Sequence, residues 1–341
     1  MSLDTLKDDI KKNNIRNLYL FYGPEEYLKK YYTDSMEKLI LSDEMKSLNY
    51  VKLEGKVEAS KIIEACETMP VFSDSKIVIV KNSGMFKGKK GSEGSKAKAK
   101  SGNDELISYL QDMPDYTCLI FYEEEIDKRI KMVDLIKKKG LIVEFSFQKP
   151  AELVKWVVKV FKSYDKTIDS LSASQLVDGS ELGMTEILNE INKVVLYLGD
   201  RTKVTSEDIE KICTKSVKSR VFDLTDAIAE RNAAKSLKLL NEMLTLKEPI
   251  PKILFMVARQ FRQILEMKLL SIDGLSLADA ASRVGVTPYT AGKILRQAKS
   301  FGVEDLKSAI EGSLEADLAI KTGKMDERIA LELLISKFCI N

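Results

Sequence analysis

The chain has 341 residues, more than one hydrophobic core usually supports, so two or three domains are expected. Hydrophobic residues make up 44% and charged residues 31%, and no apolar run approaches the roughly 20 residues that span a bilayer; this excludes a membrane protein and predicts a cytosolic, helix-rich one located in the cytoplasm. The absence of histidine excludes serine–histidine and cysteine–histidine catalysis, and the formal net charge of +2 provides little overall attraction to nucleic acid.

Apolar strands and amphipathic helices alternate over the first 146 residues. The strand segments are mostly continuous apolar runs, which is typical of strands covered on both faces. They lie at 18–22, 50–53, 77–80, 118–122 and 141–145, with helices predicted near 25–41, 58–68, 104–111 and 128–138. This alternation predicts a parallel, three-layer α/β domain over residues 1–146.

A phosphate-binding loop is suggested where the first strand runs into Gly23 and then a helix. In a loop of the form GxxxxGK(S/T), backbone amides surround the phosphates, a lysine meets the outermost ones and a hydroxyl holds magnesium. We interpret the lysine and the hydroxyl residue of this motif as absent from the present chain. In addition, Pro24 has no amide hydrogen, and the carboxylates of Glu25 and Glu26 would repel phosphate. The segment is therefore predicted to be a tight strand-to-helix connection without ATP or another cofactor, and an ATP-dependent enzyme with degenerate motifs is the remaining enzymatic alternative.

Three acids, Glu123, Glu124 and Glu125, follow the strand at 118–122. In ATPases such a strand end holds magnesium and polarises water. Without a loop that binds a nucleotide, these carboxylates are predicted to form an exposed, polar strand end with no tuned pKa and no catalytic role.

A short apolar link, Met69, Pro70, Val71 and Phe72, lies between the helix at 58–68 and the next strand. Two apolar side chains on such a link are usually buried in their own domain. If they are exposed instead, their burial in a groove of a partner could contribute about 1.5–3 kcal/mol each. The sequence leaves both alternatives open.

The segment 83–103 contains six lysines, five glycines and one acidic residue, and it has little to bury. It is predicted to be a mobile loop between a strand and a helix. One alternative is a solvated insertion; the other is a tether that contacts DNA phosphates. The lysines concerned are Lys87, Lys89, Lys90, Lys96, Lys98 and Lys100.

Beyond Pro150 the strand pattern disappears and apolar residues recur at helical spacing. A small helical domain is predicted over 147–214, and its last helix should begin with a capping box at Thr205 to Asp208. A separate helical bundle is predicted over 215–341. Its apolar faces are formed by Leu254, Val257, Phe261 and Leu265, and by Leu331, Leu334, Ile335 and Phe338.

The cysteines, Cys66, Cys118, Cys213 and Cys339, are widely separated and form no CxxC pair. Three of them lie in apolar patterns, where a reduced thiol behaves as a small hydrophobic group. Neither a disulfide framework nor a zinc site is therefore expected.

The segment 277–298 has the spacing of a helix-turn-helix, with a turn at Gly285. A DNA-binding protein is thus an alternative of another functional class. Against it, the second helix offers few cations, namely Lys293, Arg296 and Lys299, and packing within the bundle is the favoured interpretation.

Five segments, in this order, resemble the delta subunit of the bacterial DNA polymerase III clamp loader. They are LYLFYGPEEYL, TMPVFSDSKIVIV, LIFYEEEIDKR, GLSLADAASRVGVTPYTAGKILRQAKSF and LEADLAIKTGKMDERIALELLI. The resemblance extends over essentially the whole chain. It implies three domains: a RecA-like AAA+ domain without a nucleotide site over 1–146, a helical lid over 147–214 and a helical collar over 215–341.

The resemblance also implies function and partners. Such a subunit is not itself an enzyme; it grips the sliding clamp (beta subunit) and holds the ring open during DNA replication. The matching clamp-binding positions are Val71 and Phe72, with Met69 and Pro70 shaping the approach. Because relatives often have a leucine where this chain has the shorter Val71, Phe72 should provide most of the contact.

Further partners follow from the same resemblance. The collar would join the other clamp-loader subunits, gamma/tau and delta prime. Tyr289, Lys293 and Arg296 are expected near primer-template DNA in the assembled complex.

Overall fold

Two compact units make up the protein, Met1–Phe147 and Gln148–Asn341. The computed structural model describes residues 2–87, 104–180 and 183–340. The predicted class, an α/β part followed by an all-α part, is confirmed by the elements of the two units.

A five-stranded parallel sheet forms the centre of the first unit, with the order β2-β3-β4-β1-β5. All five predicted strands are present, each within one residue of the expected bounds at either end. They are β1 Leu18–Tyr22, β2 Tyr50–Glu54, β3 Lys76–Lys81, β4 Thr117–Glu123 and β5 Leu141–Glu144.

Helices cover both faces of this sheet, which explains the continuous apolar runs of its strands. Tyr19 and Phe21 pack with Met36 on one face, whereas Leu20 packs with Ile62 on the other. The helices are α1 Ser2–Lys11, α2 Glu26–Ile40, α3 Lys46–Asn49, α4 Ala59–Glu67, α5 at 104–109 and α6 Lys131–Lys139.

Two of these helices, α1 and α3, were not predicted. Leu3, Leu6 and Ile10 recur at helical spacing, so the pattern of α1 was available in the sequence. The four residues of α3 are too few to display a period.

The described residues of the second unit form helices joined by short connections. The helices are α7 Pro150–Ser163, α8 Ser170–Gly179, α9 Met184–Leu198, α10 Ser206–Ile212, α11 Val217–Ala229, α12 Ala233–Thr245, α13 Ile250–Ile272, α14 Leu277–Val284, α15 Pro288–Ser300, α16 Val303–Lys321 and α17 Glu327–Ile340. Across the described ranges, none of the helices combines the length and apolar character needed to span a bilayer.

Local predictions for this unit are confirmed. The capping box of α10 is formed by Thr205 and Asp208, whose side chains each accept a hydrogen bond from the other residue's backbone N–H, at 3.2 and 3.0 Å. On α13, Val257 and Phe261 are buried as expected. The division of this unit into a lid and a collar near residue 214 stays a prediction.

Candidate partner-binding site

An exposed apolar segment, residues 69–72, follows α4 at the amino-terminal edge of the sheet; we call it the apolar tip. Met69 is 75% exposed, Val71 40% and Phe72 86%, while Pro70 is half-buried. The alternative in which these side chains are buried in their own domain is therefore wrong. The tip presents a flexible thioether and an aromatic ring to solvent without a charged group, which suits it to fill an apolar groove.

The end of α4 is attached to the sheet beneath the tip. Its last carbonyl groups have no partner within the helix, and side chains near the beginnings of β3 and β4 supply hydrogen bonds instead. Thr117 Oγ1 donates to Cys66 O (2.8 Å), Tyr116 Oη to Glu67 O (2.9 Å) and Lys76 Nζ to Thr68 O (2.8 Å).

The backbone of the tip is held by Asn49, the last residue of α3, whose side chain is buried. Its Oδ1 accepts from Val71 N (2.7 Å), and its Nδ2 donates to Val71 O (2.8 Å). The next residue, Phe72, has a φ of +52°, in the left-handed region that residues with a Cβ rarely adopt. Sequence reasoning missed Asn49, because it lies 22 residues before Val71 and carries no motif.

Cys66, in the last turn of α4 before the tip, is buried. Burial raises the pKa of its thiol to about 12, so the group stays protonated and acts as packing. Within the described ranges, no group of three or more Cys, Asp and Glu side chains is arranged to hold a metal ion.

The Gly23 loop occupies the opposite, carboxyl-terminal edge of the sheet. Gly23 has a φ of +117°, and its N–H donates to Glu124 O at 3.1 Å. The N–H of Glu25 donates to Phe145 O at 3.0 Å. The N–H groups of Gly23 and Glu25 are therefore bonded within the protein, and Pro24 has none.

Lys29 corrects one sequence interpretation. It stands at the seventh position counted from Gly23, where GxxxxGK(S/T) has its lysine, so the statement that this lysine is absent was wrong. Leu28 and Lys30 replace the second glycine and the hydroxyl residue. The helix α2 already begins at Glu26, so Lys29 lies inside its first turn and not after a loop.

The ammonium group of Lys29 is fully buried and is paired internally. Its Nζ lies 2.5 Å from Glu26 Oε1, donates to Glu123 O (3.1 Å) and lies 4.6 Å from the centre of the Tyr122 ring. Burial raises the pKa of the Glu26 carboxyl, but hydrogen bonds from Lys29 and Tyr122 outweigh it and leave the pKa below its ordinary value. A carboxylate of the chain thus neutralises the lysine that a phosphate would meet in an ATPase.

Glu123 also differs from its prediction as an exposed strand end. Its side chain is buried, and Oε1 accepts from Ser83 N (2.8 Å) and Ser83 Oγ (2.6 Å). Burial raises the pKa of this carboxyl, against the lowering effect of the Ser83 hydrogen bonds. Glu124 and Glu125 are exposed as expected, and Lys87 Nζ lies 3.2 Å from Glu125 Oε1.

Most of the lysine-rich segment lies outside the described residues. This applies to Lys89, Lys90, Lys96, Lys98 and Lys100, whose predicted contact with DNA stays a prediction. Lys87 is described and is exposed.

The predicted helix-turn-helix corresponds to α14 and α15, joined through Gly285, which has a φ of +74°. The amino-terminal turn of α15 packs against α8: the buried hydroxyls of Thr287 and Thr290 donate to the Asp178 carboxylate. Further along, Gln297 is buried and bonded to the core. A recognition helix needs its first residues free for the major groove, so this packing disfavours sequence-specific DNA binding.

The predicted DNA-contacting residues lie on α15. Lys293 Nζ lies 4.7 Å from the centre of the Tyr289 ring, and Arg296 is exposed. Tyr289 and Lys293 line a cavity of about 220 Å³ that also has Glu210 and Asp223 in its wall. These carboxylates weaken the attraction of the cavity for a phosphate.

A second exposed apolar surface, the α13–α16 groove, belongs to the second unit. Phe255 of α13 and Leu314 and Leu318 of α16 are each more than half exposed. Phe255 and Leu314 line a groove of about 480 Å³, with Arg262 and Asp317 also in its wall. An apolar centre with a charged rim is the usual anatomy of a protein–protein contact.

Comparisons with known proteins agree over most of the chain. Residues 19–146 match the family model "DNA polymerase III, delta subunit", and residues 218–338 match "DNA polymerase III delta subunit, C-terminal domain". The chain is 28% identical over 329 residues to DNA polymerase III subunit delta of Bacillus subtilis, covering 96% of this chain and 94% of the relative.

Solved structures also superpose on this chain. The Bacillus subtilis DNA clamp loader delta protein superposes with a TM-score of 0.53 at 28% identity, over 100% of both chains. The Thermotoga maritima RuvB Holliday junction branch migration motor superposes with a TM-score of 0.41 at 12% identity, over 86% of this chain and 82% of that one.

Proposed function

This chain belongs to the DNA polymerase III delta subunit family of clamp-loader proteins, and on that premise we propose that it binds the sliding clamp and holds the ring open for loading onto primed DNA. The observation that carries the proposal is the apolar tip, in which Phe72 is exposed on a backbone anchored by hydrogen bonds. The tip lies within the part of the chain that matches the delta family. The subunit acts by binding and not by catalysis.

Opening requires that the tip binds the open ring more tightly than the closed one, since a ligand shifts an equilibrium only by its difference in affinity. Burial of Phe72 and Met69 provides about 1.5–3 kcal/mol each. Only the part of this energy that is gained with the open ring and not with the closed one drives opening; a shift from 1:99 to 99:1 would need a difference of about 5.5 kcal/mol, near the upper limit of the whole burial energy of the two side chains. Contacts around the tip therefore contribute to opening.

The direct test is a titration of purified sliding clamp with this chain, with a fluorescence donor and acceptor placed across one clamp interface. We expect saturable binding together with reduced energy transfer as the interface separates. Binding without a change in transfer would leave a clamp-binding protein that does not open the ring. Absence of binding would refute the proposed function.

We also propose that this subunit does not bind ATP, although it has an AAA+ fold. The bonded N–H groups of Gly23 and Glu25 and the pairing of Lys29 with Glu26 support this. Magnesium-ATP at 1 mM is expected to leave the melting temperature unchanged. A site with a Kd of about 10 μM would instead add about 2.7 kcal/mol of stability, or several degrees. A saturable rise of the melting temperature with ATP that is lost in Lys29→Met would place a nucleotide at this loop and contradict the proposal.

We propose a lid over 147–214 and a collar over 215–341, and that the collar joins the gamma/tau and delta prime subunits through the α13–α16 groove. The exposed apolar side chains of that groove support this. The contact of Tyr289, Lys293 and Arg296 with primer-template DNA stays a prediction.

Replacing Leu314 with lysine is expected to weaken this association at least about tenfold, because a charge would be placed in an apolar contact. Leu196→Lys is the matched control, since Leu196 is exposed on α9, outside the groove. Sedimentation of mixtures with gamma and delta prime measures the assembly. If both variants assemble equally well, the groove is not part of the interface between the subunits.

A further inference from the structure

Asn49 makes a pair of contacts that no other described side chain makes to the tip. The two ends of its amide bond the N–H and the C=O of one residue, Val71, at 2.7 and 2.8 Å. Its Nδ2 also donates to Met45 O at 3.2 Å, which fixes the orientation of the amide plane. Tyr50, the first residue of β2, directly follows Asn49, so the two hydrogen bonds to Val71 connect the tip to the sheet.

The two hydrogen bonds from Asn49 affect the backbone of Phe72, the residue after Val71. Phe72 has a left-handed φ of +52°, which a phenylalanine does not adopt without constraint. With both polar groups of Val71 held, the chain turns at Phe72 and its side chain remains 86% exposed. Without these hydrogen bonds, the apolar tip could adopt other backbone conformations. Only a fraction of molecules would then hold the Phe72 ring in the conformation seen here.

We propose that Asn49 is a positioning residue that holds the apolar tip in its binding conformation before the partner arrives. The inference rests on the proposed function, because the partner concerned is the sliding clamp. Preorganisation of this kind raises affinity without any contact between Asn49 and the partner, since the apparent Kd equals the intrinsic Kd divided by the competent fraction.

The test is a double-mutant cycle that combines Asn49→Ala with Phe72→Ala, read as clamp affinity. Asn49→Ala alone is expected to weaken binding about tenfold, which corresponds to a competent fraction of about one tenth. In the Phe72→Ala background its effect should be clearly smaller, because the ring is gone and only Met69 and Val71 remain to be positioned. A buried polar side chain at the opposite edge of the sheet supplies the control: Ser83→Ala removes the hydrogen bond from Ser83 Oγ to Glu123, keeps the one from the backbone N–H, and should leave affinity unchanged.

Each other outcome has a definite meaning. If the wild type does not bind the clamp, the proposed function fails. If the wild type binds and Asn49→Ala binds equally well, or weakens binding as much without Phe72 as with it, the inference is overturned while the function stands.

A measurement on the wild type covers the case in which Asn49→Ala does not fold. Amide hydrogen exchange at Val71 should be slow although the neighbouring residues are exposed, because Asn49 Oδ1 accepts its proton. Fast exchange at Val71, equal to that of exposed Asp74, would overturn the inference.

Discussion

Replacing Phe72 with alanine is expected to weaken binding to the sliding clamp by about 10- to 150-fold, the equivalent of about 1.5–3 kcal/mol. The side chain is 86% exposed in the free protein, so most of its apolar surface is available for burial in a partner. A large aromatic group on a fixed backbone is the usual form of an interface hot spot. Isothermal titration calorimetry of the wild type and the variant measures the difference.

The same substitution should leave the fold unchanged, because an exposed side chain contributes little to stability, within about 0.5 kcal/mol. Melting of the two proteins checks this. Tyr31→Ala is the matched control, since Tyr31 is an aromatic residue 54% exposed on α2. Equal affinity of Phe72→Ala and the wild type would exclude Phe72 from the site, and an equal loss in Tyr31→Ala would indicate an unspecific effect.

Replacing Gly23 with alanine is expected to destabilise the first unit by about 3–6 kcal/mol. An added Cβ would lie 2.4 Å from Phe145 O, a backbone atom that cannot swing aside, and the residue would keep a φ of +117°. Moving Phe145 would also break its hydrogen bond from Glu25 N. The glycine is thus required by the close approach of two chain segments, which needs no bound phosphate to explain it.

Gly55→Ala provides the comparison. Gly55 also has a positive φ, +82°, but an added Cβ there would meet nothing within 4 Å. The free energy of unfolding of this variant should therefore fall only by the cost of a positive φ for a residue with a Cβ, about 1–2 kcal/mol. Urea unfolding of both variants separates the two contributions, and equal losses would show that the contact with Phe145 does not decide the effect.

Much of the first unit could be read from hydropathy. Most of the five strands are continuous apolar runs, and burial on both faces of a sheet is the physical reason for such runs. The capping box at Thr205 was equally readable, because its two partners are three residues apart. Patterns of this kind are local, so the chain displays them without its folded context.

The candidate site was only partly readable. The sequence picked out the apolar link and left its exposure open, because an apolar side chain is as compatible with burial as with a contact surface. The interpretation of Lys29 and Glu123 failed for a related reason: the pairing of Lys29 with Glu26 and the bonds from Ser83 to Glu123 depend on which groups the sheet brings together.

The sequence by itself determined the alternation of strands and helices, the change to an all-helical part and the exclusion of histidine chemistry, since each depends on composition or on residues close along the chain. Only the tertiary structure decided the strand order, the internal neutralisation of Lys29 and the exposure of Phe72. The physical reason is distance along the chain. The hydropathy of a residue and its close neighbours indicates whether it is buried, but it does not indicate which distant residue it contacts. The hydrogen bonds between Asn49 and Val71, 22 residues apart, are an example of such a contact.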